Sequence, residues 1–97
     1  MEITRLAVVA HNHAHFDAWC RERGASPTDR RLVHVLRTES LVRLARPVPW
    51  VLVEWPSDPS AQAAVSELRA TGVRVADDEL AAFLATLGAP ESARSSE

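Results

Sequence analysis

Four short apolar runs, rich in β-branched residues, alternate along the chain with segments whose apolar residues recur at helical spacing. Glycine and proline residues fall between these segments, where strands and helices must end. The first run, residues 6–10, is continuously apolar, which is typical of a parallel strand buried on both faces. Parallel strands need long crossovers, usually helices, so the alternation predicts an α/β protein.

Each apolar run predicts one strand. The fourth run is the shortest, which predicts a strand near an edge of the sheet. The predicted strands cover residues 3–10, 32–36, 50–53 and 73–75.

The segments between the runs carry signals for helix starts and ends. Asn12 is the predicted N-cap of the first helix, in which Phe16, Trp19 and Cys20 share one face, and Gly24 is its stop. The second predicted helix is short, is capped by Thr38 and ends before Pro47. The third begins at Asp58 and Pro59 and ends at Gly72. The fourth is capped by Asp77 or Asp78 and ends at Gly88.

The predicted order is therefore βαβαβαβα. Because crossovers between parallel strands are right-handed, this order predicts a small three-layer Rossmann-like or flavodoxin-like sandwich, with about four parallel strands and helices on both faces. A chain of 97 residues can bury one core. We expect residues 1–88 to form a single domain, and residues 89–97, which lack large apolar groups, to be a flexible tail.

All eleven basic side chains are arginine, which excludes lysine-dependent chemistry. Residues 1–46 carry eight arginines against five acidic residues, and residues 47–97 carry three against eight. One interpretation is that these charges are scattered over the surface and solvated, and we interpret the arginines of residues 21–31 in this way. The alternative is that a basic face lies opposite an acidic one, which suits an anionic ligand, a nucleic-acid backbone or head-to-tail self-association. A pI near 6.1 is well below the strongly basic value expected of a dedicated nucleic-acid binder.

Composition places the chain among globular proteins without a membrane span, with 46% hydrophobic and 25% charged residues. The N-terminus lacks the apolar segment of a secretory signal, so we expect a soluble, cytoplasmic protein. The single cysteine, Cys20, cannot form an internal disulfide, and its apolar setting favours a buried thiol over a nucleophile. Three tryptophans in so small a chain, together with the charge asymmetry, predict a homo-oligomer.

The candidate site is the histidine-rich segment of residues 11–15, which follows the first strand. Ligands of open α/β sheets bind beyond the carboxyl ends of strands. The His11-x-His13 pair resembles the metal-binding pair after the first strand of amidohydrolases and histidinol-phosphatase-like phosphoesterases. With the strand-end carboxylate of Glu54, that pair suggests one hypothesis, a small metal-dependent hydrolase.

A second hypothesis for the same segment is a weak anion site. A helix that starts near Asn12 points free N–H groups toward the crevice, where His11 and His13 add donors and Arg37 and Thr38 follow the second strand. No glycine-rich phosphate motif is present in the sequence, so we expect no dinucleotide and no other cofactor. The third interpretation is a polar loop without a ligand. His34 is interpreted as a hydrogen-bonded histidine within the sheet.

The pattern of Ala10, Asn12, Phe16, Trp19-Cys20 and Gly24 resembles small Rossmann-like proteins of actinobacteriophage genomes, in which arginine is common at the position of His11. The likeness covers roughly residues 5–75. It implies the same fold and a phage or prophage setting, and it carries over no catalytic residue. The function that we predict is a non-enzymatic accessory module that docks on a protein or on itself, with no membrane or nucleic-acid partner. The metal-dependent hydrolase is the alternative.

Overall fold

The computed structural model describes residues 3–88, which form a four-stranded sheet covered by helices on both faces. All strand pairs are parallel, and the order across the sheet is β2-β1-β3-β4. The strands are β1 (Leu6–Val9), β2 (Leu32–His34), β3 (Pro49–Leu52) and β4 (Val73–Arg74). The predicted parallel α/β sandwich is confirmed, as is the position of β4 at an edge.

The helical elements fill the two outer layers. α1 and α3 pack on one face of the sheet, and α2 packs with a 3₁₀ helix on the other. These elements are α1 (His13–Glu22), the 3₁₀ helix (Thr38–Leu41), α2 (Pro59–Thr71) and α3 (Asp77–Gly88).

β1 lies at the centre of the core, because successive strand residues point to opposite faces. Leu6 and Val8 pack against α1 and α3, whereas Ala7 and Val9 pack against α2. All four side chains are fully buried. The continuous apolar run of the sequence thus follows from a strand with helices on both sides.

The caps of α1 and α2 are as predicted. The Asn12 side chain accepts a hydrogen bond from the His15 amide at 2.9 Å, and that of Asp58 accepts one from Ser60 at 2.8 Å. Gly24 ends α1 with a φ of 71°, a left-handed conformation that glycine adopts without strain. Each of the two side-chain caps satisfies an amide that has no partner within its helix.

Two predicted caps are wrong. Thr38 is the first residue of a four-residue 3₁₀ helix, and Arg37 precedes it without a side-chain cap bond. The connection must cross over β1 to reach β3, which leaves few residues for a longer helix. Asp77 is the first residue of α3, and Ala76, whose carbonyl accepts the first helical hydrogen bond from the Leu80 amide, occupies the position before it.

The predicted tail, residues 89–97, lies outside the described residues. Within residues 3–88, no helix is both long enough and apolar enough to cross a membrane.

Candidate functional site

The carboxyl ends of β1 and β3 lie side by side at the point where the strand order reverses. In open α/β sheets this switch point is where ligands bind. The loops after the two strands are joined by backbone hydrogen bonds, from Val53 to the Val9 carbonyl at 2.8 Å and from Ser57 to the His11 carbonyl at 3.2 Å. The histidine-rich segment is therefore held at a fixed place on this edge.

His11 and His15 share the carboxylate of Glu54. Its Oε2 lies 3.0 Å from Nδ1 of His15 and 3.6 Å from Nδ1 of His11, and the His11 Nδ1 also lies 3.0 Å from the Trp55 carbonyl oxygen. The two imidazole rings are 5.3 Å apart. All three side chains are roughly half exposed, so these contacts orient the rings and add little stability.

His13 and His34 form a second group, with Phe16. The His34 ring lies 4.6 Å from that of Phe16 and 5.6 Å from that of His13. The His34 Nδ1 is buried and has no hydrogen-bond partner within the described part of the chain, so its interpretation as a fully hydrogen-bonded histidine is wrong. Burial, and secondarily the nearby His13, lowers the pKa of His34.

A crevice of about 180 Å³ opens between the two loops. This volume is below the usual range for organic cofactor sites, and it suits a small ion. The polar side chains that line it come from the β1 loop, the end of β2 and the start of α2, and they are His11, Asn12, His13, His34, Ser57 and Asp58.

Three of the five residues predicted to bind an anion, His11, Asn12 and His13, line this crevice. The structure does not bring Arg37 there. Its Nε lies 4.0 Å from Glu39, and the residue lines another cavity. Thr38 is not among the crevice residues either.

Sequence reasoning included His15 in the histidine-rich segment without giving it a partner, and it did not place His34 in this crevice. The spacing of His11 and His15, four residues apart at the start of a predicted helix, is the signal that could have placed these two rings together.

The trio His11, His13 and Glu54 of the metal hypothesis is not assembled as predicted. Glu54 contacts His11 and His15, whereas His13 contacts the rings of His34 and Phe16. Among residues 3–88 no group of three histidine, cysteine or acidic side chains has the geometry to hold a metal ion.

Cys20 is buried in α1, as predicted from its apolar neighbours. Burial, reinforced by Asp17, raises the pKa of its thiol to about 11. The group therefore stays protonated near neutral pH and is a poor nucleophile.

Exposed apolar side chains flank the histidines. Leu36, which follows β2, is 52% exposed, and Trp55, which follows β3, is 47% exposed. The guanidinium of Arg69 lies over the Trp55 ring, 5.5 Å from its centroid. Because β1 lies between β2 and β3, the histidines of the β1 loop lie between these two side chains. We call the surface formed by Leu36, the three histidines of residues 11–15, Glu54 and Trp55 the carboxyl-edge patch.

Comparison of the chain with protein-family models, with curated proteins and with solved structures found no match. The resemblance to small actinobacteriophage proteins therefore stays a prediction.

Proposed function

We propose that the protein is a non-enzymatic accessory module that docks through the carboxyl-edge patch on a second copy of itself. The observation that carries the proposal is the exposure of Leu36 and Trp55 on either side of the histidines. A phage or prophage setting is part of the proposal, supported by the resemblance across residues 5–75.

The patch has the composition of a protein interface. Tryptophan is enriched in the energetically important parts of interfaces, and a leucine adds apolar area at the other end of the row. The patch also lies on loops that hydrogen bonds between the β1 and β3 ends hold in place. Such a pre-organised surface loses little conformational freedom when it binds.

The polar centre of the patch suits pairing with a copy of itself. A two-fold dimer places the same surface on both sides of the interface. Imidazole donors and the exposed carboxylates of Glu54 and Asp58 lie within a few residues of one another on this edge. A donor of one copy can therefore face an acceptor of the other, and apolar Leu36 and Trp55 complete the contact.

The residue inventory favours binding over catalysis. The sequence contains no lysine, and the single thiol is buried with a raised pKa. The histidines contact one another, a carboxylate and a phenyl ring. No serine or cysteine of the described residues forms a hydrogen bond with an imidazole nitrogen, the contact that activates a nucleophile.

The test is sedimentation velocity from about 1 to 100 µM, the range in which a specific dimer of ordinary affinity dissociates. We expect the wild type to dimerise and the double variant Leu36→Ser/Trp55→Ser to stay monomeric. Val42→Ser is the matched control, because Val42 is an apolar side chain that is 74% exposed outside the patch. A wild type that remains a 10.7 kDa species throughout, or a double variant that dimerises like the control, contradicts the proposal.

A further inference from the structure

Two adjoining cavities lie on the α2 face of the sheet, beside the edge strand β2 and the amino ends of β1 and β3. Their volumes are about 570 and 490 Å³, and both are lined by Arg5, Arg43 and Leu44. They exist because the crossover from β2 to β3 contains only the 3₁₀ helix, which leaves Val33 of β2 half-buried. We call the two cavities together the arginine trough.

Five arginines line the arginine trough, and they come from separate parts of the chain. One precedes β1, one precedes β2, two flank the 3₁₀ helix and one lies in the connection to β3. These residues are Arg5, Arg30, Arg37, Arg43 and Arg46. Cations that converge from separate segments on a concave surface differ from a run of solvated charges along one helix.

Acidic side chains neutralise these arginines poorly. Arg5, Arg30 and Arg43 form no ion pair within residues 3–88. Arg37 and Arg46 have only long contacts, of 4.0 Å to Glu39 and 3.6 Å to Glu67.

Of the three other arginines among residues 1–46, two are paired closely with an acidic side chain. Arg21 lies 2.9 Å from Asp17, and Arg31 lies 2.8 Å from Asp29. The third, Arg23, lies 3.8 Å from Glu22, so most of the arginines of residues 1–46 that lack a close acidic partner line the arginine trough. Like charges held together repel, so an anion that enters the trough relieves this repulsion as well as forming new contacts.

We infer that the arginine trough binds a compact polyanion that carries two or more adjacent phosphate groups, as in an oligophosphate chain. The planar guanidinium group presents paired N–H donors that match phosphate oxygens. Each cavity falls within the volume range of small-ligand sites. Five arginines spread over two joined cavities match several phosphates in a row better than a single one.

A nucleic-acid strand fits the trough less well. Single-stranded nucleic acids bind where bases stack on aromatic rings, and none of the residues that line the trough is aromatic. The exposed Trp55 lies at the opposite, carboxyl edge of the sheet. This inference is independent of the proposed self-association, because none of the residues that line the trough belongs to the carboxyl-edge patch.

The test is calorimetric titration of the purified protein with sodium tripolyphosphate, orthophosphate and magnesium-free ATP. We expect tripolyphosphate to bind at least about tenfold more tightly than orthophosphate, because it reaches more guanidinium groups. ATP carries the same phosphate chain on a nucleoside, and we expect its affinity to lie within about threefold of that of tripolyphosphate. If ATP binds at least about tenfold more tightly than tripolyphosphate, the protein recognises the nucleoside, which contradicts a site for phosphate groups alone.

Variants locate the site. Arg5→Gln/Arg43→Gln removes the two arginines shared by both cavities, and we expect it to weaken tripolyphosphate binding by about tenfold or more. Arg21→Gln is the matched control, because Arg21 is an exposed arginine on α1 away from the trough. His11→Ala/His13→Ala removes the imidazoles of the carboxyl-edge crevice. We expect both control variants to bind like the wild type.

Three results would overturn the inference. The first is that tripolyphosphate does not bind the wild type. The second is that Arg21→Gln weakens tripolyphosphate binding as much as Arg5→Gln/Arg43→Gln does. The third is that His11→Ala/His13→Ala loses tripolyphosphate binding while Arg5→Gln/Arg43→Gln retains it. Tighter binding of a single-stranded oligonucleotide of about 20 nucleotides, at equal phosphate concentration, would also overturn it in favour of a nucleic-acid surface.

Discussion

The imidazole of His34 lies flat against the phenyl ring of Phe16, with the ring centroids 4.6 Å apart and the planes 4° from parallel. The contact joins the last residue of β2 to the first buried apolar side chain of α1. It places a titratable ring against the core, with one nitrogen that lacks a hydrogen-bond partner among residues 3–88. Burial at this place, and secondarily the nearby His13, favours the neutral form of His34 and lowers its pKa.

We expect acid to destabilise the protein through His34. Its pKa is lowered in the folded state by burial and by His13, so the unfolded chain takes up a proton that the folded chain does not. The free energy of unfolding should therefore fall as pH drops below the ordinary histidine pKa of about 6.5. Urea unfolding at pH 7.5 and 5.5 measures the difference.

His34→Phe is the matched variant for this measurement, because it keeps an aromatic ring against Phe16 and removes the unpartnered nitrogen. We expect it to lose less stability between the two pH values, and to be as stable as the wild type or about 1 kcal/mol more stable at pH 7.5. The same pH dependence in both proteins would show that His34 is not responsible.

Close packing requires a glycine at Gly72, whereas the left-handed backbone conformation favours a glycine at Gly24. A Cβ atom on Gly72 would lie 2.9 Å from Trp50 Cδ1 and from two backbone oxygens, but a Cβ on Gly24 would meet nothing within 4 Å. We expect Gly72→Ala to cost about 1–3 kcal/mol of stability. Gly24→Asn should be nearly neutral, since asparagine tolerates the left-handed conformation. Denaturant unfolding compares the two, and equal costs would contradict the packing argument.

Cys20 should be inert in the folded protein. Its side chain is fully buried and its thiol pKa is raised to about 11, so little thiolate is available at pH 8. We expect a thiol-specific reagent to label native protein at the rate of unfolding and denatured protein at once. Immediate labelling of the native protein at pH 8 would mean that α1 does not pack on the sheet as described.

Much of the fold could be predicted because its signals are local. The apolar run at β1, the Asn12 and Asp58 caps and the Gly24 stop each follow from a few neighbouring residues. The cap at Thr38 was wrong because the path of the crossover from β2 to β3, rather than the capping residue, decides where that helix begins, and α3 begins one residue earlier than the Asp77 cap predicts.

The candidate site could be predicted only in part. The position of the histidines beyond β1 follows from strand order, but their partners do not. Glu54 pairs with His15 rather than with His13, because the direction of α1 determines which ring faces the β3 loop. The charge asymmetry left a basic face open as one alternative but could not locate the arginine trough, since its arginines come from three separate segments that only the fold brings together.

The central claim is that the carboxyl-edge patch forms the contact between copies. The most direct measurement is a series of ¹H–¹⁵N correlation spectra of the labelled protein, diluted from about 100 to 1 µM. We expect concentration-dependent shifts at the amides of residues 11–15, 36, 54, 55, 57 and 58, and constant positions for those of α3 and of Arg5, Arg43 and Arg46 in the arginine trough. Spectra that do not change on dilution, or changes confined to α3 or the arginine trough, would contradict the claim.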